Sequence, residues 1–350
     1  MQLTDLQFER PQALQAIEPP EERGLERDEV RLLVSEGGSH HHDRFLHLAD
    51  ALRPGDLLIV NQSATIPASL PATGPDGAFI LNLCTDYGHG LWLTEPRRSA
   101  SEPGPLSLSP GDRLEVAGLH GRIVSVFPNI PRLTFVRIAG DVGAAMATHG
   151  SPIRYGYLDR AFPLSAYQTY FATTPGSAEM PSAARPFTAR VVDRLRARGV
   201  GIATLTLHTG VSSLEVEADQ CELGCREDAC LPLYPEPFSV PAATARAISA
   251  TKARGGRVVA VGTTVVRAVE TAWDGEQVRA TGGFTRRFIS PDSGVHVVDG
   301  LLTGLHDPQT THLAMLYAIA GRERIMDGYR EAIDEGYLWH EFGDSHLILA

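Results

Sequence analysis

The stretch "AVGTTVVRAVE" (260–270) sets a small-residue turn between an apolar run and a helically spaced one. The "GRVV" before it is β-branched and apolar, Gly262, Thr263 and Thr264 break the run, and Val265, Val266 and Val269 then recur at helical spacing around Arg267 and Glu270. The pattern predicts strand, tight turn, helix. Amides that open a helix lack internal partners and lie at the positive end of its dipole, so such a turn can hold a carboxylate, a phosphate or a ribose edge. The alternative for the same residues is a buried strand with an ordinary βα turn.

Other residues invite the same question. His208 ends an alternating run (204–207) and is followed by Thr209 and Gly210, while His306 with Asp307 occupies a second turn of this kind. "FGDSHLIL" adds Asp344 and His346 near the C-terminus. Imidazole titrates near neutral pH, which suits it to proton transfer, although a strand-end histidine is as often structural. "YQTYF" supplies Tyr167, Gln168 and Thr169 ahead of "TTPGSAEMP", whose Gly176 and Ser177 can wrap an adenine or an amino-acid moiety, or form an ordinary turn.

Metal chemistry has weaker support. The histidines at 40–42 fall in "SEGGSHHHDRFLHLADAL", between a strand-like "RLLV" and a helix, and are read as loop residues. Cys84 stands alone in a strand-like run and reads as a small buried hydrophobe. Cys221, Cys225 and Cys230 could offer soft ligands, but their spacing fits neither a zinc knuckle nor a common ferredoxin run, and loop thiols or a local disulfide fit better. No metal is expected. The chain also lacks a nucleophile elbow, a phosphate loop, a zinc-protease helix and a dinucleotide fingerprint.

The elements that must position these residues fall into two kinds. From about 70 to 147 short apolar runs alternate with glycine and proline: "AFILNLC", "GLWLTEP", "PLSLSPGDRLEV", "GRIVSVF" and "RLTFVRI". They predict a small antiparallel barrel or sandwich. From about 186 onward, helical and strand-like stretches alternate: "FTARVVDRLRARGV" is a helix capped at Thr188, "GIATLTLHTG" a strand, and "AATARAISATKARGG" a helix leading into "RVVAVG". This order predicts an α/β fold with a mostly parallel sheet and flanking helices, spanning 1–69 and 148–350, with 70–147 inserted as a β-barrel. Ligands of such sheets bind beyond the carboxyl ends of the strands, where 207–210, 262–264 and 301–308 would converge.

With 350 residues and 43% hydrophobic composition, the chain can bury a core without staples. It has no apolar run long enough to span a bilayer and its first twenty residues are polar and acidic, so the expectation is a cytoplasmic protein with no membrane partner. A formal net charge of -11 opposes nonspecific capture of nucleic acid but permits a local basic strip.

Read together, these segments resemble the S-adenosylmethionine:tRNA ribosyltransferase-isomerase family of queuosine biosynthesis. The resemblance runs through "VRLLV" (30–34), "HDRF" (42–45), "LRPGDLLIVN" (52–61), "IPASL" (66–70), "YQTYFA" (167–172), "PGSAEMPSA" (175–183) and "FT" (187–188). It continues through "LTLHTG" (205–210), "AVGTTVVRAVE" (260–270), "VDGLLTGLHDP" (298–308) and "FGDSHLIL" (342–349). It implies an α/β domain carrying an inserted barrel, with S-adenosylmethionine as co-substrate. The implied reaction transfers and isomerises the ribosyl group onto the aminomethyl substituent of a 7-deazaguanine in tRNA, with adenine and methionine leaving. Gly262, Thr263, Thr264, Arg267 and Glu270 are then expected in the S-adenosylmethionine pocket, together with Tyr167, Gln168, Thr169, Gly176, Ser177, Gly210 and Asp344. His208, His306 and Glu236 are the expected catalytic groups.

The chain also departs from the family pattern. "FNDTRVIPARL" is here "VNQSATIPASL", with Gln62, Ala64 and Ser69 in place of an aspartate and two arginines. "PTAGLHFT" is "PSAARPFT", which brings in Arg185 and Pro186; "HxMHxE" is "LPLYPE", which keeps Glu236; "TNFHLP" is "TGLHDP", which keeps His306. Lost arginines weaken the tRNA assignment, since arginine is a natural contact to phosphates and base edges. Three functions therefore compete. The family reaction predicts salt-sensitive tRNA binding by a basic strip such as Arg154, Arg160 and Arg185. A transferase or lyase with a small-molecule acceptor, or none, predicts adenine release without tRNA. A non-catalytic S-adenosylmethionine-binding protein predicts binding without turnover.

Overall fold

The computed structural model describes residues 3–100, 102–104, 106–128, 130–158, 160–211 and 233–350, so Cys221, Cys225 and Cys230 lie outside the described residues. In chain order the first strands are β1 (Arg31–Glu36), β2 (Ser39–Arg44), β3 (Leu57–Asn61) and β4 (Ser63–Thr65). The next six are β5 (Ser69–Gly74), β6 (Gly77–Asp86), β7 (Leu91–Arg97), β8 (Arg113–Val116), β9 (Leu119–Phe127) and β10 (Ile130–Ala139). Helix α1 (Val142–His149), β11 (Thr174–Ser177), α2 (Ala189–Ala197), β12 (Gly201–Leu207), β13 (Glu236–Val240) and α3 (Ala242–Ala253) follow. The chain ends with β14 (Val258–Val261), α4 (Thr263–Thr271), β15 (Thr281–Thr285), β16 (Gly300–Gly304), α5 (Thr311–Ala320), α6 (Arg322–Asp334) and β17 (Ser345–Leu349).

Strands β5 to β10 close into the expected antiparallel barrel, in the order β10-β7-β6-β5-β8-β9. Alternation explains it: along β9, Gly121 and Ile123 are buried while Arg122 and Val124 are exposed. Closure removes the exposed sheet edges that so small a sheet would otherwise present.

The nine-stranded sheet runs β15-β13-β12-β3-β14-β16-β17-β1-β2. Its centre, β12-β3-β14-β16, is parallel as the helix-strand alternation predicts. The whole is mixed, because β13 and β15 add antiparallel on one side and β17 returns antiparallel to β16 on the other. The central strands β3 and β14 are buried along their whole length, as continuous apolar runs require when both faces are covered. Helix α2 starts where Thr188 accepts a hydrogen bond from the Val191 amide, and it packs Val191, Val192 and Leu195 on one face. Helix α4 is buried from Thr263 to Glu270, including its charged residues.

Histidines 40–42 are corrected from loop to strand: they form β2, paired antiparallel with β1 at Ser35–His40, Val34–His41 and Leu33–His42. Their weak intrinsic strand preference is overridden by the buried partner strand. His40 and His346 share the Ser35 hydroxyl, each at 2.7 Å, and burial with the nearby His40 holds His346 down to about 3. Among the described residues, no group of three or more His, Cys, Asp or Glu is placed to hold a metal, and no helix is long and apolar enough to cross a membrane.

Candidate functional site

Strand ends meet along one edge of the sheet. Register places Leu205 beside Asn61, Val60 beside Val261, and Val261 beside Leu302. The segments that leave these strands, at 208, 62, 262 and 305, therefore emerge side by side. The start of β17 enters at the same edge, with Ser345 opposite Gly304.

His208 is held by a hydroxyl cluster. Its Nδ1 shares a hydrogen bond of 2.7 Å with Ser63 Oγ, which in turn lies 2.6 Å from Ser177 Oγ. Ser177 Oγ also accepts from the Thr209 amide at 3.1 Å. Asn61 ties the two strand ends together, donating to the Leu207 carbonyl at 2.7 Å and accepting from the Leu207 and Ser63 amides at 3.1 Å each. Gly176 packs flat against the imidazole: a Cβ there would stand 2.6 Å from its Cε1 and Nδ1, at a φ of 152° that side chains rarely adopt. Burial lowers the His208 pKa and favours the neutral ring.

Next to this cluster lies a buried ion pair. Arg267 Nη1 donates to Glu236 Oε2, and the other Glu236 oxygen accepts from the Gly210 amide at 2.8 Å. Both side chains are almost fully buried, Arg267 on α4 and Glu236 at the start of β13. They line a cleft with Tyr234, Arg287, Thr311 and His312. Arg267 Nε donates to the Arg287 carbonyl at 3.2 Å, whereas Arg267 Nη2 and Arg287 Nε are buried with no partner among the described residues. Unsatisfied buried guanidinium N–H groups cost free energy unless a ligand accepts from them. Burial, with Arg267 adding its charge, holds His312 down to about 4.

Several expected site residues are held by hydrogen bonds within the protein. Both oxygens of Glu236, the expected base, are engaged, one by Arg267 and one by the Gly210 amide. Glu270 accepts from the His296 amide at 2.9 Å and the Val297 amide at 2.8 Å, and so clamps the loop before β16 without lining the cleft. His306 shares a hydrogen bond of 2.7 Å with Thr303 Oγ1 and packs 4.7 Å from the His312 ring; burial first, then neighbouring His312, holds it well below its ordinary value. Gln168 bonds both backbone groups of Thr65, at 3.1 and 2.8 Å. The Tyr167 carbonyl accepts from Thr65 Oγ1 and its ring packs 5.3 Å from Phe342, whereas Thr169 Oγ1 is buried without a partner. Gly262 turns the chain at a φ of 93°, and Thr264 Oγ1 sits 3.5 Å from Asn61 Nδ2.

Asp344 belongs to a second cavity of about 290 Å³, lined by Arg185, His340 and Glu341 among others. Its carboxylate accepts from the Arg31 amide at 2.7 Å and the Leu338 amide at 2.8 Å, and burial raises its pKa. Burial raises Glu341 to about 7. The basic strip expected from Arg154, Arg160 and Arg185 does not form. Arg185 is buried, donates to the Ala166 carbonyl and Glu21 at 2.9 Å each, and caps the Phe342 ring, while Arg160 pairs with Glu22. The sequence reading missed Asn61 and Ser63, which follow an apolar run as His208 does and carry the same strand-end signal. It also missed Arg287 and His312, for which it held no such signal.

Comparisons with known proteins align the whole chain. The family described as "Queuosine biosynthesis protein" matches residues 3–348. The chain is 40% identical over 344 residues to an S-adenosylmethionine:tRNA ribosyltransferase-isomerase of Thermus thermophilus, covering 95% of this chain and 97% of that one. It is 37% identical over 358 residues to the enzyme of the same name from an Anaeromyxobacter species, covering 99% of each. The crystal structure of S-adenosylmethionine tRNA ribosyltransferase from Thermotoga maritima superposes with a TM-score of 0.54 at 27% identity, covering 99% of this chain and 100% of that one.

Proposed function

The chain belongs to the queuosine biosynthesis protein family, and from that membership we propose that it is an S-adenosylmethionine-dependent ribosyltransferase-isomerase acting on tRNA that carries 7-aminomethyl-7-deazaguanine. The products are the epoxyqueuosine side chain, adenine and methionine. One observation in the cleft carries the assignment to this site: Arg267 Nη2 and Arg287 Nε are buried and unpartnered among the described residues, and both arginines line the cleft. That donor pair fits the carboxylate of S-adenosylmethionine, which would satisfy both groups.

The sulfonium of this co-substrate acidifies the adjoining ribose C5′ protons and makes methionine a good leaving group, so a positioned base suffices. His208 is our choice for that base. It is neutral at pH 7, its Nδ1 is occupied by Ser63, and no hydrogen bond engages its Nε2 among the described residues. Ser63, Ser177 and Thr209 fix the ring, Gly176 permits its close packing, and Glu236 holds Arg267 in place through a contact that also anchors Gly210. Asp344 and Gly262 shape the same strand-end edge.

The deciding experiment mixes purified protein with S-adenosylmethionine, with and without tRNA bearing the aminomethyl-deazaguanine, and follows adenine and methionine by mass-resolved chromatography. Release that requires this tRNA is expected. Release without it would replace the reading by a small-molecule transferase or lyase, and binding without release in either tube would leave a non-catalytic binder.

A further inference from the structure

On the face of the β13–β15 ladder opposite Glu236 lies an aromatic pair that neither the ion pair nor the hydroxyl cluster uses. Phe284, on β15 at the edge of the large sheet, is 51% exposed. Its ring packs 5.4 Å from Tyr87, at 31° to it, and Tyr87 is itself pinned by donating to the Pro235 carbonyl at 2.8 Å. Phe284 lies opposite Pro237 in the ladder, one residue from Glu236. The half-exposed face of this ring matches the face of an unstacked base.

A row of positive charge starts beside the loop that carries Tyr87. Arg137 donates to the carbonyl of His89, two residues from Tyr87, at 2.8 Å. Register then pairs Arg137 with Arg122, and Arg122 with Arg113, across three adjacent barrel strands. Directly opposed residues share a face, and all three are exposed. The row spans roughly 10 Å at the usual strand spacing. None of the three has a salt bridge among the described residues. Glu115, opposite His120, lies one step further along this face. Like charges facing each other across strands repel, so the row stores a repulsion that an anionic chain laid along it would relieve.

We propose that Phe284, backed by Tyr87, stacks an unpaired base of the RNA substrate on the face of the β13–β15 ladder opposite Glu236, and that the Arg137–Arg122–Arg113 row carries the adjoining phosphates across the barrel. The inference rests on the proposed function, because it takes tRNA as the partner. It places the basic strip on the barrel and not on Arg154, Arg160 and Arg185.

The test uses the full chain and the deazaguanine-bearing tRNA. Dissociation constants are measured as a function of salt for wild type, Phe284→Ala, Phe284→Trp, Arg122→Gln and the triple Arg113→Gln, Arg122→Gln, Arg137→Gln, with S-adenosylmethionine affinity as the control for folding. Phe284→Ala should weaken tRNA binding roughly 5- to 150-fold, the range of one lost base stack, with Trp restoring it. The triple variant should lower the slope of log K against log salt by about 2, and Arg122→Gln alone by about 0.7, the single-strand contribution per phosphate. All should keep wild-type S-adenosylmethionine affinity; if the triple variant loses it, Arg122→Gln decides. If wild type binds tRNA and releases adenine while the variants keep its affinity and salt slope, the track is wrong and the proposed function stands. If wild type binds no tRNA, both fall together.

Discussion

Replacing Arg287 with methionine isolates one charge in the cleft. Its Nε is buried without a partner, so the change removes an unsatisfied donor and breaks no side-chain hydrogen bond of that nitrogen. The backbone contacts stay, because the Arg287 amide donates to Thr285 Oγ1 at 3.0 Å and its carbonyl accepts from Arg267 Nε at 3.2 Å whatever the side chain. Stability should therefore hold or rise slightly. The corresponding change at Arg267 would strand the buried Glu236 carboxylate at a cost of about 3–5 kcal/mol, which would confuse binding with folding. A charge-assisted hydrogen bond to the ligand carboxylate contributes about 1.5–3 kcal/mol, so Arg287→Met should weaken S-adenosylmethionine binding roughly 10- to 150-fold. The decisive assay is calorimetry of wild type and variant with both S-adenosylmethionine and its decarboxylated analogue. Wild type should prefer the carboxylated ligand, and the variant should lose most of that preference. An equal loss for both ligands, or less than a twofold loss for S-adenosylmethionine, would refute the assignment of these arginines to the carboxylate.

Two further variants probe groups whose protonation is set by burial. His208→Ala should slow adenine release about 10²- to 10⁴-fold while leaving S-adenosylmethionine affinity and thermal stability close to wild type; undiminished turnover would remove it as the base. Because burial lowers its pKa, the acid limb of the wild-type kcat/KM profile should fall below pH 6.5, the ordinary imidazole value, and that limb should be absent from residual activity in the variant. Glu341 stays protonated in the fold up to about pH 7, whereas the unfolded chain releases that proton near 4.5. Between these values the native state holds more protons than the unfolded one, so stability falls as pH rises through the window, by at most about 3 kcal/mol. Glu341→Gln should flatten that fall and raise the urea midpoint at pH 8 relative to wild type. An unchanged pH slope in the variant would show that Glu341 does not titrate there.

Local patterns in the sequence specify much of this architecture. Thr188 caps α2 because its hydroxyl reaches an amide three residues on, the 260–270 stretch forms strand, turn and helix because its apolar spacing changes there, and the alternating runs after residue 70 form barrel strands. Each depends on residues a few positions apart. The strand-end segments were also legible as a group, since open sheets bind ligands where parallel strands finish.

How those segments are held is decided by contacts between distant residues. Ser63 meets Ser177 across 114 positions and His208 across 145, which links Ser177 to the histidine through a shared hydroxyl. Glu236 became a partner of Arg267, and Glu270 a clamp for the amides at 296 and 297, because buried carboxylates must find donors and the fold supplied these. Histidines 40–42 became a strand through the pairing offered by β1. The Arg113–Arg122–Arg137 row exists only in the barrel register, and a shift of one residue in any strand would send its arginine to the other face. Hydrophobic periodicity and capping act along the chain and can be read from it. Register, burial and hydrogen-bond partners are chosen by the packed whole, because they depend on which distant segments are brought together.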